Sequence, residues 1–253
     1  MNLRLATSES PHVDSGALPV IAMSGITKVY DTGKVRVEAL KEVDLDVAPG
    51  EFLAVVGPSG SGKSTLMNLL GCLDTPSAGT YALRGREVAG LDRNELARIR
   101  NERVGFVFQN FNLLPQITSF ENVEMPLLFG GVARKERHER VRDLLAKVGL
   151  EDRMDHRPTE LSGGQMQRVA VARALAMNPD VLLADEPTGN LDTSSGGDVM
   201  SLMEELWRQG RTLIVITHDM ALARRAGRVV EIRDGRIVRD EKTGTGTATI
   251  HHP

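Results

Sequence analysis

The sequence predicts an α/β fold with a mostly parallel central sheet, and three observations carry that prediction. Phe52 to Val56, Val181 to Ala184 and Leu213 to Ile216 are unalternating apolar runs, the pattern of strands buried on both faces. Helical patterns at Lys63 to Leu70, Gly163 to Met177 and Thr193 to Gln209 alternate with them, giving strand, turn, helix. The chain has 253 residues, 41% apolar and 26% charged, which is ordinary globular usage with enough length for a sizeable core.

In chain order, residues 1–19 are rich in Ser, Pro and Gly without periodicity and read as a flexible tail. A folded body is expected over 20–239. It opens with short β-type runs at Gly25 to Tyr30, Val35 to Leu40 and Val43 to Val47, separated by turn residues such as Asp31, Gly33, Pro49 and Gly50, which predict an antiparallel N-terminal β subdomain. From about 91 to 158 the charged helical patterns Asp92 to Arg100 and Arg134 to Val148 surround a strand-like Val104 to Phe108, and this stretch reads as an inserted α-helical subdomain. Residues 240–253 read as a second flexible tail.

The net charge is −3, which argues against a general nucleic-acid binder, since phosphate-backbone binding needs a basic surplus or stripe. The mixed-sign run from Arg134 to Arg140 reads as a solvated helix face. One cysteine, Cys72, allows no intrachain disulfide and fits a reducing compartment, so a cytoplasmic location is expected, with Cys72 as packing. No apolar stretch reaches the roughly 18 residues needed to span a bilayer, and the first residues lack the apolar core of a signal peptide. Any membrane role must come through a partner.

The first chemical motif is Gly57, Pro58, Ser59, Gly60, Ser61, Gly62, Lys63, Ser64, Thr65, which satisfies G-x-x-x-x-G-K-[ST] between an apolar strand and a helix. Such a P-loop curls its backbone N–H groups inward at a helix N-terminus and binds polyphosphate. Lys63 is expected to reach the β- and γ-phosphates and the Ser64 hydroxyl to ligate Mg²⁺. The strand Val181 to Ala184 ends in Asp185 and Glu186, at the edge where open α/β sheets place ligands. Adjacent side chains on an extended chain point to opposite sides, so Asp185 can face Mg²⁺ while Glu186 orients and deprotonates an attacking water. Alone, the same pair reads as a solvated strand end, and the P-loop decides between the two. The third strand ends at Thr217, His218 and Asp219, where a histidine can contact the γ-phosphate, although a lone histidine is more often structural.

Leu161, Ser162, Gly163, Gly164 and Gln165 precede a long helix. Ser162 and Gln165 form a capping box, yet two glycines in a first helical turn cost up to about 1 kcal/mol each relative to alanine. Bare backbone there offers a second anion site. One nucleotide has one γ-phosphate, so a second phosphate-seeking turn suggests another copy's nucleotide, in a head-to-tail pair related by two-fold symmetry.

In order and spacing, GPSGSGKST, Gln109, LSGGQ, VLLADEP, the GNLD of Gly189 to Asp192 and His218 resemble the nucleotide-binding subunits of ATP-binding cassette (ABC) transporters. The resemblance covers about Ile21 to Arg239. The stretch Gln109 to Leu127 is similar to the branch serving macrolide export and lipoprotein release. The resemblance implies a P-loop NTPase core, hydrolysis of ATP with Mg²⁺, and a separate transmembrane permease that the chain meets on the inner face of the cell membrane. It implies that Tyr30 stacks on adenine and that Gln109 touches Mg²⁺ and relays to the membrane partner. Ser162 to Gln165 would close over the other copy's ATP. Asp192 would cross the dimer interface, though it reads equally as the cap of the helix at Thr193.

Phe111 to Pro115 is apolar for a loop and suits either docking to a membrane subunit or burial in the helical lobe. A coiled-coil DNA-repair ATPase, a two-cassette translation factor and a P-loop kinase each lack support in the motifs. An ATPase that regulates a membrane complex without moving cargo shares every motif and remains the alternative.

Overall fold

The computed structural model describes residues 18–31 and 33–243. The chain runs β1 (Ile21–Asp31), β2 (Arg36–Val47), β3 (Phe52–Val56), α1 (Lys63–Leu70), β4 (Ala78–Leu83), β5 (Arg86–Glu87), α2 (Arg93–Arg103) and β6 (Val104–Phe108). It continues with α3 (Ser119–Phe129), α4 (Arg134–Lys147), α5 (Gly163–Leu175), β7 (Val181–Asp185), α6 (Thr193–Arg208), β8 (Thr212–Ile216), α7 (Met220–Ala223), β9 (Arg228–Arg233) and β10 (Arg236–Lys242). An antiparallel sheet has the order β2-β1-β4-β5, and a second, mostly parallel sheet the order β10-β9-β3-β8-β7-β6.

The parallel strands lack alternation because both of their faces are covered. Phe52, Ala54, Leu182, Ala184, Leu213 and Val215 pack with α3 to α6 on one side. Leu53, Val55, Val181, Leu183, Ile214 and Ile216 pack on the other with α1, α2 and the antiparallel sheet. Each buried Leu, Ile or Phe contributes about 1.5–3 kcal/mol through area removed from water, so this two-sided core dominates stability. Helix starts are set by short polar side chains: Asp92 with Glu95, Thr118 with Glu121 and Ser162 with Gln165 each close a capping box.

The structure differs from the sequence expectation in four places. The runs Val35 to Leu40 and Val43 to Val47 merge into β2, because the irregularity at Glu42 (φ 50) is absorbed within the strand. Val104 to Phe108 does not belong to a lobe spanning 91–158. It pairs in parallel with β7, and Leu96 and Ile99 of α2 pack in the core shared with the antiparallel sheet, so the helical lobe begins at α3, which packs on α4 and α5. Strands β4, β5, β9 and β10 and helices α3 and α7 had no counterpart in the prediction, and β10 carries the chain in strand conformation to Lys242, into the expected C-terminal tail. Residues 1–17 and 244–253 of the two expected tails lie outside the described residues; Leu18 is exposed.

Cys72 follows α1 in a left-handed turn (φ 53) and is 2% exposed, with burial pushing its thiol up to about 11. Among the described residues no helix is long and apolar enough to cross a membrane.

Candidate functional site

The turn from β3 to α1 brings Gly57 to Thr65 together as one loop. A side chain at Gly57 would collide with the Ile232 carbonyl oxygen, and one at Gly62 (φ 108) would come within 2.7 Å of the Ala39 carbonyl oxygen. Only glycine lets the loop curl this tightly. Pro58, Ser59, Gly60 and Ser64 are exposed, whereas Ser61 is 2% exposed and its hydroxyl has no partner among the described residues. An unpaired buried hydroxyl in a glycine-rich loop at a helix N-terminus suits a polyoxyanion. The Lys63 ammonium lies in the loop's mouth, donating to the carbonyl oxygens of Gly57 (2.7 Å) and Pro58 (2.8 Å). A cleft of about 350 Å³ opens beside it, lined by Val37, Glu38, Lys41, Lys63, Ser64 and Thr65 among others.

Tyr30 stands opposite Val37 in the β1–β2 register, next to that cleft, and is 38% exposed. Its hydroxyl donates to Asp74 Oδ2 at 3.0 Å, while Lys28 Nζ lies 5.0 Å from the ring centroid and donates to Asp74 Oδ1 (2.6 Å) and the Thr75 carbonyl (2.8 Å). The phenol pKa is raised by burial and by Asp74. Burial is the largest influence on the Asp74 carboxyl and raises it, but the hydrogen bonds from Lys28, the Thr75 N–H and Tyr30, with the Lys28 charge, together outweigh it and the net shift is downward. One ring face is thus held by a cation, which fixes the orientation of the aromatic plane.

Asp185 closes β7, half-buried. Its pKa is raised by burial and by the neighbouring Glu186 charge, against the pull of the Lys63 ammonium. The sequence expectation separated Asp185 from Glu186 by strand alternation. The structure separates them differently, because Glu186 leaves the strand in a left-handed conformation (φ 43). That turn aims its carboxylate at β8: Oε1 accepts from the His218 N–H (2.8 Å) and Nδ1 (2.5 Å), and Oε2 accepts from the Thr217 hydroxyl (3.0 Å). A carboxylate only accepts, so His218 carries its proton on Nδ1. Glu186, His218, Asp185 and Lys63 therefore converge where β3, β7 and β8 end.

Gln109 follows β6 and turns toward the loop after β7, where its Nε2 donates to Asn190 Oδ1 (3.2 Å). The Asn190 amide donates in return to Asn110 Oδ1 (2.6 Å) and the Gln109 carbonyl (3.2 Å). Gln167, fully buried on α5, donates to the carbonyls of Pro187 (2.7 Å) and Phe108 (3.3 Å), tying the same two loops together from beneath.

Ser162 and Gln165 cap α5 reciprocally (3.3 and 2.9 Å). Side chains at Gly163 and Gly164 would come within 3.2 Å of Leu191 and 3.1 Å of Ser195, so close packing is one reason for those glycines. The first N–H groups of a helix have no intrahelical partner; Ser162 here is exposed and Gly163 and Gly164 are partly so, and with the Gln165 N–H taken by Ser162 the two glycine N–H groups are the donors this end offers. Asp192 caps α6, accepting from the Ser195 N–H (2.9 Å) and hydroxyl (2.7 Å).

In the 111–115 loop, Leu113 packs against the core while Leu114 is 45% exposed, so the loop divides between the two readings. Arg173 of α5 holds it from below, donating to the Phe111 (2.8 Å) and Asn112 (2.5 Å) carbonyls. Beside it lies a groove of about 840 Å³ whose walls include Leu73, Phe106, Phe108, Phe129, Arg173 and Met177.

Sequence reasoning missed Thr217, Asn190, Gln167, Lys28 and Asp74. Thr217 and Asn190 stood inside motifs already singled out, and a polar residue ending an apolar strand was the available sign for Thr217. No sequence feature marked the Lys28–Asp74 pair, which forms only when β1 meets the end of α1.

Among the described residues no group of three or more His, Cys, Asp or Glu could hold a metal ion by itself. The nearby donors, the Ser64 hydroxyl, the Gln109 amide and the Asp185 carboxylate, suit an ion that brings phosphate oxygens and water with it, as Mg²⁺ does.

A sequence model of the family described as ABC transporter matches residues 40–189. The chain is 49% identical over 237 residues to the macrolide export ATP-binding/permease protein MacB of Rhodopseudomonas palustris, covering 94% of this chain and 36% of that protein. The chain thus spans about a third of the length of such relatives. It is 50% identical over 225 residues to an uncharacterized ABC transporter ATP-binding protein of Thermotoga maritima, covering 89% of this chain and 96% of that one. The dimeric structure of MJ0796, a bacterial ABC transporter cassette, matches with a TM-score of 0.80 at 45% identity over 88% of this chain and 98% of that chain. The dimeric structure of a post-hydrolysis state of the same cassette, bound to ADP and Pi, matches with a TM-score of 0.80 at 44% identity.

Proposed function

The chain belongs to the ABC transporter family, and from that premise we propose that it hydrolyses MgATP between two head-to-tail copies to drive a separate membrane-embedded exporter subunit. The observation that carries this reading is the convergence of Lys63, Asp185, Glu186 and His218 at the ends of three adjacent parallel strands, with a second glycine-rich helix start left facing solvent. The N–H groups of the Gly57 to Thr65 loop hold the phosphates, and Lys63 exchanges its two carbonyl partners for phosphate oxygens. Ser64, Gln109 and Asp185 would hold Mg²⁺, which would supply positive charge to offset that on the transferred phosphoryl group.

Glu186 takes a proton from water as the water oxygen bonds to the γ-phosphorus and the bond to ADP breaks. His218 stays beside the γ-phosphate. Gly163 and Gly164 of the other copy supply N–H donors to the same phosphate, the capping pair Ser162 and Gln165 holds that helix start against it, and Asp192 lies at the joint between copies. Release of phosphate removes the bridge and the pair reopens. The 840 Å³ groove receives the membrane partner. Its Phe108 directly precedes Gln109, so pressure in the groove reaches the nucleotide through one residue. Attachment to the membrane is then peripheral, and export rather than import follows the MacB relatives.

The head-to-tail arrangement has its own test. Lys63→Ala and Ser162→Arg each disable both sites of a homodimer, but a mixed pair keeps one intact loop facing one intact α5 start. Mixing the two inactive variants is expected to restore a substantial fraction of wild-type hydrolysis. If the mixture stays inactive at every ratio while each variant remains folded, the shared-site reading fails.

Tyr30 supplies the adenine platform, and Lys28 with Asp74 sets its plane. Lys28→Met removes the ring's cation and is expected to raise the KM for ATP about threefold to tenfold, on the scale of one cation–π contact, with kcat unchanged. Steady-state hydrolysis at varied ATP checks it.

A further inference from the structure

We infer that Thr217 is a positioning residue for hydrolysis, holding the Glu186 carboxylate in the one orientation from which it can meet water. This rests on the reading of Glu186 as the base. Three contacts hold that carboxylate, and they are unequal. Both His218 contacts go to Oε1, and the imidazole side chain is 77% exposed, free to turn toward another partner. The Thr217 contact goes to Oε2 from a residue that is fully buried.

Thr217 is fixed on every side. Its N–H donates to the Val55 carbonyl (3.1 Å) on β3, the strand that leads into the phosphate loop. Its hydroxyl oxygen accepts from the Asp219 N–H (3.0 Å), which orients the hydroxyl and leaves its single proton for Glu186. Glu186 is itself tied to the same strand end, its N–H donating to the Ile216 carbonyl (2.9 Å). Backbone and side chain of Glu186 are thus both referenced to β8. When the His218 ring turns to phosphate, its backbone N–H still meets Oε1, and the Thr217 hydroxyl is the one side chain of these contacts left on the carboxylate, holding Oε2 inward. Proton transfer requires hydrogen-bond reach, so a glutamate free to rotate spends most of its time out of register.

The experiment compares Thr217→Val and Thr217→Ser in the full chain with MgATP, with thermal unfolding recorded for each. Thr217→Val keeps the shape and removes the hydroxyl; kcat is expected to fall roughly tenfold, the scale of one hydrogen bond, with the KM for ATP unchanged. Thr217→Ser restores the hydroxyl and is expected to return kcat to within about twofold of wild type. In a Glu186→Gln background, Thr217→Val should add no further loss, since its effect passes through Glu186.

A Thr217→Val variant with wild-type kcat, a rise in KM matching the fall in kcat, or a serine variant as slow as the valine one overturns the inference. Should the valine variant not fold, Thr217→Ala against Thr217→Ser makes the same comparison. The base assignment is judged separately: if Glu186→Gln alone hydrolyses ATP at the wild-type rate, that reading fails regardless of Thr217.

Discussion

Glu186→Gln is expected to bind ATP as the unaltered chain does, to lose hydrolysis by a factor of a hundred or more, and to accumulate as an ATP-bound dimer in gel filtration. The substitution keeps the length of the side chain and the φ 43 turn that aims it at β8, and an amide oxygen still accepts from the His218 N–H. What disappears is the capacity to take a proton. General bases contribute roughly 10²–10⁴ to rate, which sets the size of the loss. The phosphate loop and the α5 start are untouched, so the nucleotide still bridges two copies and nothing cuts the bridge. Unaltered turnover in this variant would show that Glu186 is not the base, and a monomer in saturating ATP would show that the nucleotide is not the bridge.

Lys63→Ala is expected to weaken ATP binding on the order of a hundredfold or more, measured by titration calorimetry. The ammonium now satisfies two loop carbonyls at 2.7 and 2.8 Å, so it already sits where the loop gathers polar groups. Charge-assisted hydrogen bonds are worth roughly 1.5–3 kcal/mol each, and two of them to phosphate reach that factor. The fold should survive, because Lys63 is only half-buried and the core flanking β3 consists of apolar side chains that do not change. Full affinity in the alanine variant would refute the phosphate-loop reading.

The sequence showed most of what positions these groups. The strands β3, β7 and β8 were legible because burial on both faces removes alternation, and α1, α5 and α6 because each begins at a turn or cap written in a few residues. Strands β9 and β10 were not legible, since RVVEIR and RIVRDEK interleave charges on strands at and next to the sheet edge, where one face or one side meets water. The membership of β6 was hidden for another reason. Parallel pairing joins it to β7, more than seventy residues away, and no local pattern records such a partner. At the site, residue types and order named Lys63, Asp185, Glu186 and His218. The direction of Gln109 toward Asn190, the left-handed turn at Glu186 and the grip of Thr217 are products of long-range geometry that spacing alone does not encode.

Cys72 is the chain's single cysteine, and its thiol is both enclosed and pushed up to about 11 by burial. At neutral pH it therefore presents almost no thiolate to a reagent in solution. The protein is in effect already blank for sulfhydryl labelling without any substitution. A cysteine placed at an exposed position away from the site, by Ser201→Cys or Val238→Cys, would carry a fluorophore or cross-linker at one defined address. The approach of two molecules can then be followed in real time on an otherwise native background.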